Sequence, residues 1–262
     1  MYFPSRTTSN YPVADLGGEH MEHYPILVLS DIHLGSEYSR YEDVISLLEK
    51  VKCDLLILNG DIIDGWQLRK SIRNLKPDHT HFFRVLLKKI EEDNTHIIYV
   101  KGNHDDFLDR VLPFEFANFS IVSEYMLQTP IGRYYVTHGD VFDSITTQTK
   151  WLAQLGDVGF TLLLHLYKYY NKYRIKRGKP YLSVSQKVKT KVKSAVSYIS
   201  DFEEKLVTIA RIKKANGVIC GHIHHPANQY YNEIHYLNSG DWVENRTALV
   251  FTYEDKWEVI NK

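Results

Sequence analysis

The sequence has few cysteines: Cys53 and Cys220 are the only two in 262 residues. Two thiols cannot make the framework of bridges that staples small secreted domains, so a reducing compartment is the simpler setting. No excess of charge of either sign exists, since 32 Lys and Arg face 32 Asp and Glu. A chain of zero formal charge offers no global field for a polyanion, so nucleic acid is not the expected partner. There is no run of about 18 apolar residues, the length that crosses a bilayer. The first residues have no apolar signal core, so export by that route is not expected. One further absence is local. No Asp or Glu occurs between Gly159 and Ser200, a span that holds Lys168, Lys172, Arg174, Lys176, Arg177, Lys179, Lys187, Lys189, Lys191 and Lys193.

Apolar residues make up 44% of the chain, enough for a sizeable core, and the length fits one large domain or one domain with an insertion. Residues 1–23 are polar and rich in turn formers, and a flexible N-terminal tail is expected there. Residues 25–30, 54–58 and 95–100 are apolar or β-branched runs, the mark of strands buried on both faces. Residues 41–51 and 79–93 carry apolar side chains at helical spacing. This alternation predicts a sheet with polar residues at the carboxyl ends of its strands, where open α/β sheets bind ligands. Residues 119–127 and 132–137 are expected as short strands of a second sheet. Further strands are expected at 217–220, 235–238, 248–253 and 256–260. Residues 144–214 break the pattern as a mostly helical insertion, broken at Gly178, Lys179 and Pro180 and placed to act as a lid.

Five strand ends carry chemistry-bearing groups. They are Asp31-Ile32-His33, Gly60-Asp61, Gly102-Asn103-His104-Asp105, His138-Gly139-Asp140 and Gly221-His222-Ile223-His224. Each alone is an ordinary polar turn. Collected, Asp31, His33, Asp61, Asn103, His138, His222 and His224 supply two carboxylates, an amide and four imidazoles, with His104 to spare. One zinc takes three or four ligands, so this set suits two ions sharing a carboxylate. Nitrogen and oxygen donors without thiolate favour Mn, Fe or Zn. Two ions about 3.5–4 Å apart are a recurring device for displacement at phosphorus. The other histidines (His20, His23, His79, His81, His96, His165, His225 and His235) are read as structural or surface groups.

In that order the five blocks resemble the calcineurin-like metallophosphoesterase superfamily, over nearly all of residues 25–262. The resemblance implies a four-layer α/β/β/α sandwich of two mixed sheets spanning 24–262, with the metals at one edge and the helical insertion at about 144–214. It implies that Asp31, His33, Asp61 and His224 hold one divalent ion, and that Asp61, Asn103, His138 and His222 hold the other, with Asp61 as the bridge. Mn is the expected metal, ahead of Fe or Zn. The implied nucleophile is a metal-bridging hydroxide, and His104 is the implied general acid or a clamp on the phosphoryl oxygens. Asp64 and Asp105 are read as carboxylates that orient imidazoles, with a turn or capping role as the alternative.

Within the superfamily the chain is similar to the UDP-2,3-diacylglucosamine pyrophosphatases of lipid A synthesis. Its length, the insertion between His138 and His222, the stretch from Tyr236 to Glu244 and residues 247–250 carry that likeness. A substrate with two acyl chains and a diphosphate needs an apolar groove beside basic side chains, and residues 160–193 hold both kinds. Lys187, near Ser183 and Ser185, is a candidate contact for the diphosphate or sugar. The same span suits peripheral contact with an anionic membrane, which places the protein in the cytoplasm at the inner membrane face. The plainer reading is that its aromatics pack the lid and its lysines form a solvated face. One residue departs from the group: its members carry Arg where this chain has His104, and Arg cannot give up a proton at neutral pH. A His there is closer to general phosphodiesterases, so another phosphodiester or pyrophosphate is the alternative substrate. A nuclease is a second alternative. A non-catalytic scaffold is a third, disfavoured by the complete ligand set.

Overall fold

The structure is a computed structural model that describes residues 22–71, 76–141, 172–174, 176–177 and 184–262, with side chains from residue 197 in the last stretch. The chain divides into two compact units, 1–140 with 207–262, and 141–206. In the first unit a seven-stranded sheet takes the order β12-β11-β1-β2-β3-β5-β4. Its strands are β1 (Glu22–Leu29), β2 (Val51–Asn59), β3 (His96–Val100), β4 (Phe114–Phe116), β5 (Phe119–Val122), β11 (Thr247–Phe251) and β12 (Trp257–Asn261). A five-stranded sheet takes the order β6-β7-β8-β10-β9. It comprises β6 (Tyr125–Thr129), β7 (Gly132–Val136), β8 (Gly217–Cys220), β9 (Ala227–Tyr231) and β10 (Ile234–Asn238). β1, β2, β3 and β5 run parallel, while β11, β12 and β4 are antiparallel to their neighbours, so the larger sheet is mixed.

Side chains alternate across a strand, and in the larger sheet both alternating sets are apolar. Leu27, Leu29, Leu56, Leu58, Ile97, Tyr99 and Val250 pack with α1 (Tyr41–Lys50) and α3 (His79–Glu91), through Val44, Leu48, Phe82 and Val85. Ile26, Val28, Ile57, Ile98, Val100 and Leu249 face the other way and pack on Leu127, Tyr134, Val136, Ile219 and Leu237 of the smaller sheet. The fold is therefore a mixed α/β sandwich of two sheets, with α1 and α3 covering the outer face of the larger one. The described residues also include the short α2 (Gly65–Lys70) and the long α4 (Val184–Ile212). Among the described residues no helix is long and apolar enough to cross a membrane.

One expectation is corrected. Residues 119–127 are not a single strand of the second sheet. β5 pairs parallel with β3 in the larger sheet, and β6 pairs with β7 in the smaller. The chain changes sheets at Ser123 and Glu124, both exposed, and Glu124 accepts a hydrogen bond from the Tyr135 hydroxyl at 2.6 Å. β4 and β9 are exposed edge strands that no apolar run marks, β4 because it is three residues long and β9 because it opens on Ala227, Asn228 and Gln229. β1 begins at Glu22, and residues 1–21, where a tail is expected, lie outside the described residues. Most of 144–183, including Lys168, the break at Gly178 and Ser183, also lies outside them, as do the side chains of Ser185 and Lys187.

His235 on β10 ties the smaller sheet together as a neutral imidazole. Asn228 turns its amide nitrogen to the Trp257 carbonyl at 2.7 Å, so its oxygen accepts from His235 Nε2 at 2.7 Å. The Tyr134 hydroxyl then donates to Nδ1 at 2.9 Å. Burial pushes the His235 pKa from 6.5 down to about 4. The unfolded chain therefore binds the proton first, and this contribution to stability is complete above about 6.5 and disappears as pH falls towards 4. In urea unfolding, the stability advantage of the natural chain over His235→Gln should shrink across that window and be level on either side; an advantage independent of pH would contradict it.

Candidate metal centre

The parallel pairing of β1 and β2 does not stop where the strands do. Asp31 N–H donates to Gly60 O at 3.0 Å, His33 N–H to Asp61 O at 2.9 Å, Leu34 N–H to Ile62 O at 2.9 Å, and Asp64 N–H to Leu34 O at 2.8 Å. The two acidic loops are thus laced edge to edge. Within them Asp31, His33 and Asp61 take φ of 53°, 52° and 53°, and His222 and His224 take 69° and 52°. This left-handed region is uncommon for residues other than Gly, although Asp and His enter it more readily than most. Asp31 and His33, two residues apart, turn their side chains towards the same donor cluster. Glycine is required where backbones crowd the acids: a Cβ on Gly221 would sit 2.5 Å from Asp31 Oδ2, and one on Gly102 would collide with the Asp61 carboxylate.

Each buried carboxylate divides its two oxygens. Asp31 Oδ2 accepts the His222 N–H at 3.0 Å, while Oδ1 lies 3.3 Å from His224 Nε2 and 3.9 Å from His33 Nε2. Asp61 Oδ1 accepts the His104 N–H at 2.8 Å. Its Oδ2 lies 3.3 Å from His138 Nε2 and 3.9 Å from both His33 Nε2 and His104 Nε2. Asp61 is therefore the hub. His138 donates from Nδ1 to the Asn59 carbonyl at 3.0 Å, which leaves Nε2 as the nitrogen aimed inward. Asp31, Asp61 and His138 form a buried floor, while His104 and His224 keep 20% and 28% of their side chains exposed at the rim.

Three donor atoms on this surface, Asp31 Oδ1, Asn103 Oδ1 and His138 Nε2, are buried without a hydrogen-bond partner. An orphaned buried acceptor is costly, and a divalent cation would satisfy all three. Ligand atoms lie within 4.8 Å of one another in Asp31, His33 and His224, in Asp61, His138 and His222, and in His33, Asp64 and His104. The first two trios fall inside the two expected ligand sets. The third draws in Asp64, whose Oδ1 meets His104 Nδ1 at 3.1 Å and also caps α2 by accepting the Gln67 N–H at 3.0 Å. The residues present fit a pair of divalent cations.

Residues 24–226 match the calcineurin-like phosphoesterase family. The chain belongs to that family. As a calcineurin-like phosphoesterase it is a metal-dependent hydrolase of phosphorylated substrates. No curated protein matches it significantly. It is similar to a solved predicted phosphoesterase of Streptococcus pneumoniae TIGR4 at 16% identity and TM-score 0.37, over 90% of this chain and 97% of that one. It is also similar to Yfce, a phosphoesterase from E. coli, at 15% and 0.38 over 90% and 98%. A Vps29 mutant from Entamoeba histolytica gives 12% and 0.41 over 90% and 98%.

In the phosphoesterase site further side chains brace the ligands. Of the two roles open to Asp105 the turn role is the one found: it accepts from the backbone of Ile62, Ile63 and Gly102 and from the Tyr99 hydroxyl. It braces the turns that carry Asp61 and Asn103. Asp241 accepts from the backbone of Val243 and Glu244 and lies 3.9 Å from His224 Nδ1. Trp66 stacks on His104. Asn59 and Asp241 adjoin motif glycines, a weak signal; Trp66 gave none.

Electrostatics fits cation binding. Burial opposes charge on Asp31, but His138 and His224 outweigh it and hold its pKa at about 2. Burial likewise opposes charge on His138 and His224. The Asp61 and Asp31 charges lift His138 well above its ordinary value, and the Asp31 carboxylate beside His224 lifts that ring to about 9. Protons on these rings balance the acids until a cation displaces them. Metal binding at neutral pH should therefore release protons, with affinity rising as pH climbs towards about 9. Calorimetry in buffers of differing ionisation heat measures this, and absence of proton release would contradict it. Asp61→Ala should retain neither ion in metal analysis; retention of two would contradict the hub role.

Proposed function

We propose that the chain cleaves a diphosphate bond in a lipid-linked nucleotide of the UDP-2,3-diacylglucosamine type. Asp31, His33, Asp61 and His224 would hold one ion, and Asp61, Asn103, His138 and His222 the other. The mixed oxygen and nitrogen donors suit Mn. Two such ions acidify a water and neutralise charge on the phosphoryl oxygens. The observation that carries the two-ion hydrolysis in this reading is the division of labour at Asp61, which gives one oxygen to the His104 backbone and turns the other to three imidazoles.

His104 supplies what the acids cannot. Asp64 takes its Nδ1, leaving Nε2 on the Asp61 side as the nitrogen that meets the leaving oxygen. Burial lowers its pKa, but the Asp64 hydrogen bond and the Asp61 charge outweigh burial and raise it. A cation at Asp61 would pull it back down. A proton donor so placed serves a departing alkoxide more than a departing nucleotide phosphate. His104 therefore favours a second reading, a general phosphodiesterase. The basic, aromatic composition of residues 160–193 supports the lipid reading and peripheral contact with an anionic membrane.

Hydrolysis of UDP-2,3-diacylglucosamine and of bis(4-nitrophenyl) phosphate, both with Mn, separates the two. The lipid nucleotide should be preferred by about a hundredfold or more in kcat/KM, a difference of roughly 3 kcal/mol in transition-state binding. Deleting 160–195 should remove that preference and spare the aryl diester. A preference for the aryl diester would establish the second reading. On an alkyl phosphodiester His104→Ala should lower kcat by about a hundredfold or more, and by less on the lipid nucleotide, while metal analysis still finds two ions. Loss of an ion would make His104 a ligand instead.

A further inference from the structure

We propose that Trp66 is a positioning residue for His104. Its indole holds the imidazole in the plane where Nδ1 meets Asp64 and Nε2 faces Asp61. The inference rests on the reading of His104 as the group at the leaving oxygen.

The geometry is that of a clamp. The two rings stack at 4.0 Å between centroids with 26° between planes. From another side the His33 ring meets His104 edge-on at 4.7 Å and 87°. The Asp64 hydrogen bond pins one atom of the ring, and a single pinned atom leaves the plane free to tilt, because the outer torsion of His is broad. A stacked face removes that freedom. Trp66 is itself held in register. Gly65 N–H donates to His104 O at 3.1 Å. Arg69 grips Asp106 through two hydrogen bonds of 2.8 and 3.0 Å. A Cβ on Gly65 would sit 2.6 Å from His104 O and 2.9 Å from the Phe107 ring, so only glycine lets α2 come so close. The turn of α2 and the segment 104–107 thus move as one piece.

A packing role alone does not account for Trp66. It is 38% exposed and belongs to neither apolar core. The residue of α2 that is buried is Gly65.

The test is the dependence of kcat on the leaving group across a series of phosphodiesters, from 4-nitrophenyl to alkyl, with the Mn-loaded full chain. A well-placed proton donor flattens that dependence. Trp66→Ala should lose about ten- to a hundredfold on the alkyl ester and less on the 4-nitrophenyl ester, so the slope steepens. Trp66→Phe should restore it. Trp66→Ala combined with His104→Ala should be no worse than His104→Ala alone, since the stack acts only through that ring. An independent readout is NMR of the metal-free protein. The His104 ring protons should lie upfield in the indole's ring current, move downfield in Trp66→Ala, and stay upfield in Trp66→Phe. A steeper slope in His104→Ala with an unaltered slope in Trp66→Ala would overturn the role of Trp66 alone. An unaltered slope in His104→Ala would overturn the reading of His104 and this inference with it. Additive losses in the double variant, or no upfield shift, would also overturn it.

Discussion

Two carboxylates buried side by side repel each other, and the architecture around Asp31 and Asp61 answers that repulsion. Each gives one oxygen to a backbone N–H supplied by a distant motif, His222 for Asp31 and His104 for Asp61. Each turns its other oxygen to imidazoles, including His138 after β7 and His224 after β8. The acids come from the larger sheet and these imidazoles from the smaller. The apolar layer between the sheets, from Val28 and Ile57 to Val136 and Ile219, brings acids and bases within reach. Cation binding is thus a property of the sandwich and of no single loop.

That arrangement demands unusual backbone. Asp31, His33, Asp61, His222 and His224 all take positive φ. Such strain, of order 1–3 kcal/mol per residue, persists only where surroundings over-determine it. Here the surroundings are the continued β1–β2 ladder, the Trp242 N–H on the Asp31 carbonyl at 3.1 Å, and the Asp105 brace on the turns at 61–63 and 102.

Much of this was legible in the residues. The buried strands announce themselves as apolar runs because both faces of the larger sheet are covered, and the ligand types follow directly at their ends. The split between β5 and β6 shows in the residues only as the two polar positions Ser123 and Glu124, too short a break to tell a change of sheet from a solvent-facing stretch of one strand. Asp105 left two roles open, because a carboxylate next to a histidine can pair with a ring or brace a turn, and only the loop brought in from elsewhere, with the Ile62 and Ile63 amides, decides for the turn. Trp66 and Asp241 depend on which loops meet in space, and no spacing along the chain encodes that.

β1 lies between β2 and β11, with Ile26 facing Leu55 on one flank and Phe251 on the other. The first flank can close as soon as a short stretch of chain exists. The second waits for nearly the whole chain to be made, and such distant pairings are slow to form. Until then β1 is an open, apolar edge of the kind that invites pairing with foreign strands. During synthesis β1 therefore gains its β2 flank long before β11 exists to cover the other, and the acid at its end waits as long for the His222 and Trp242 amides that hold it.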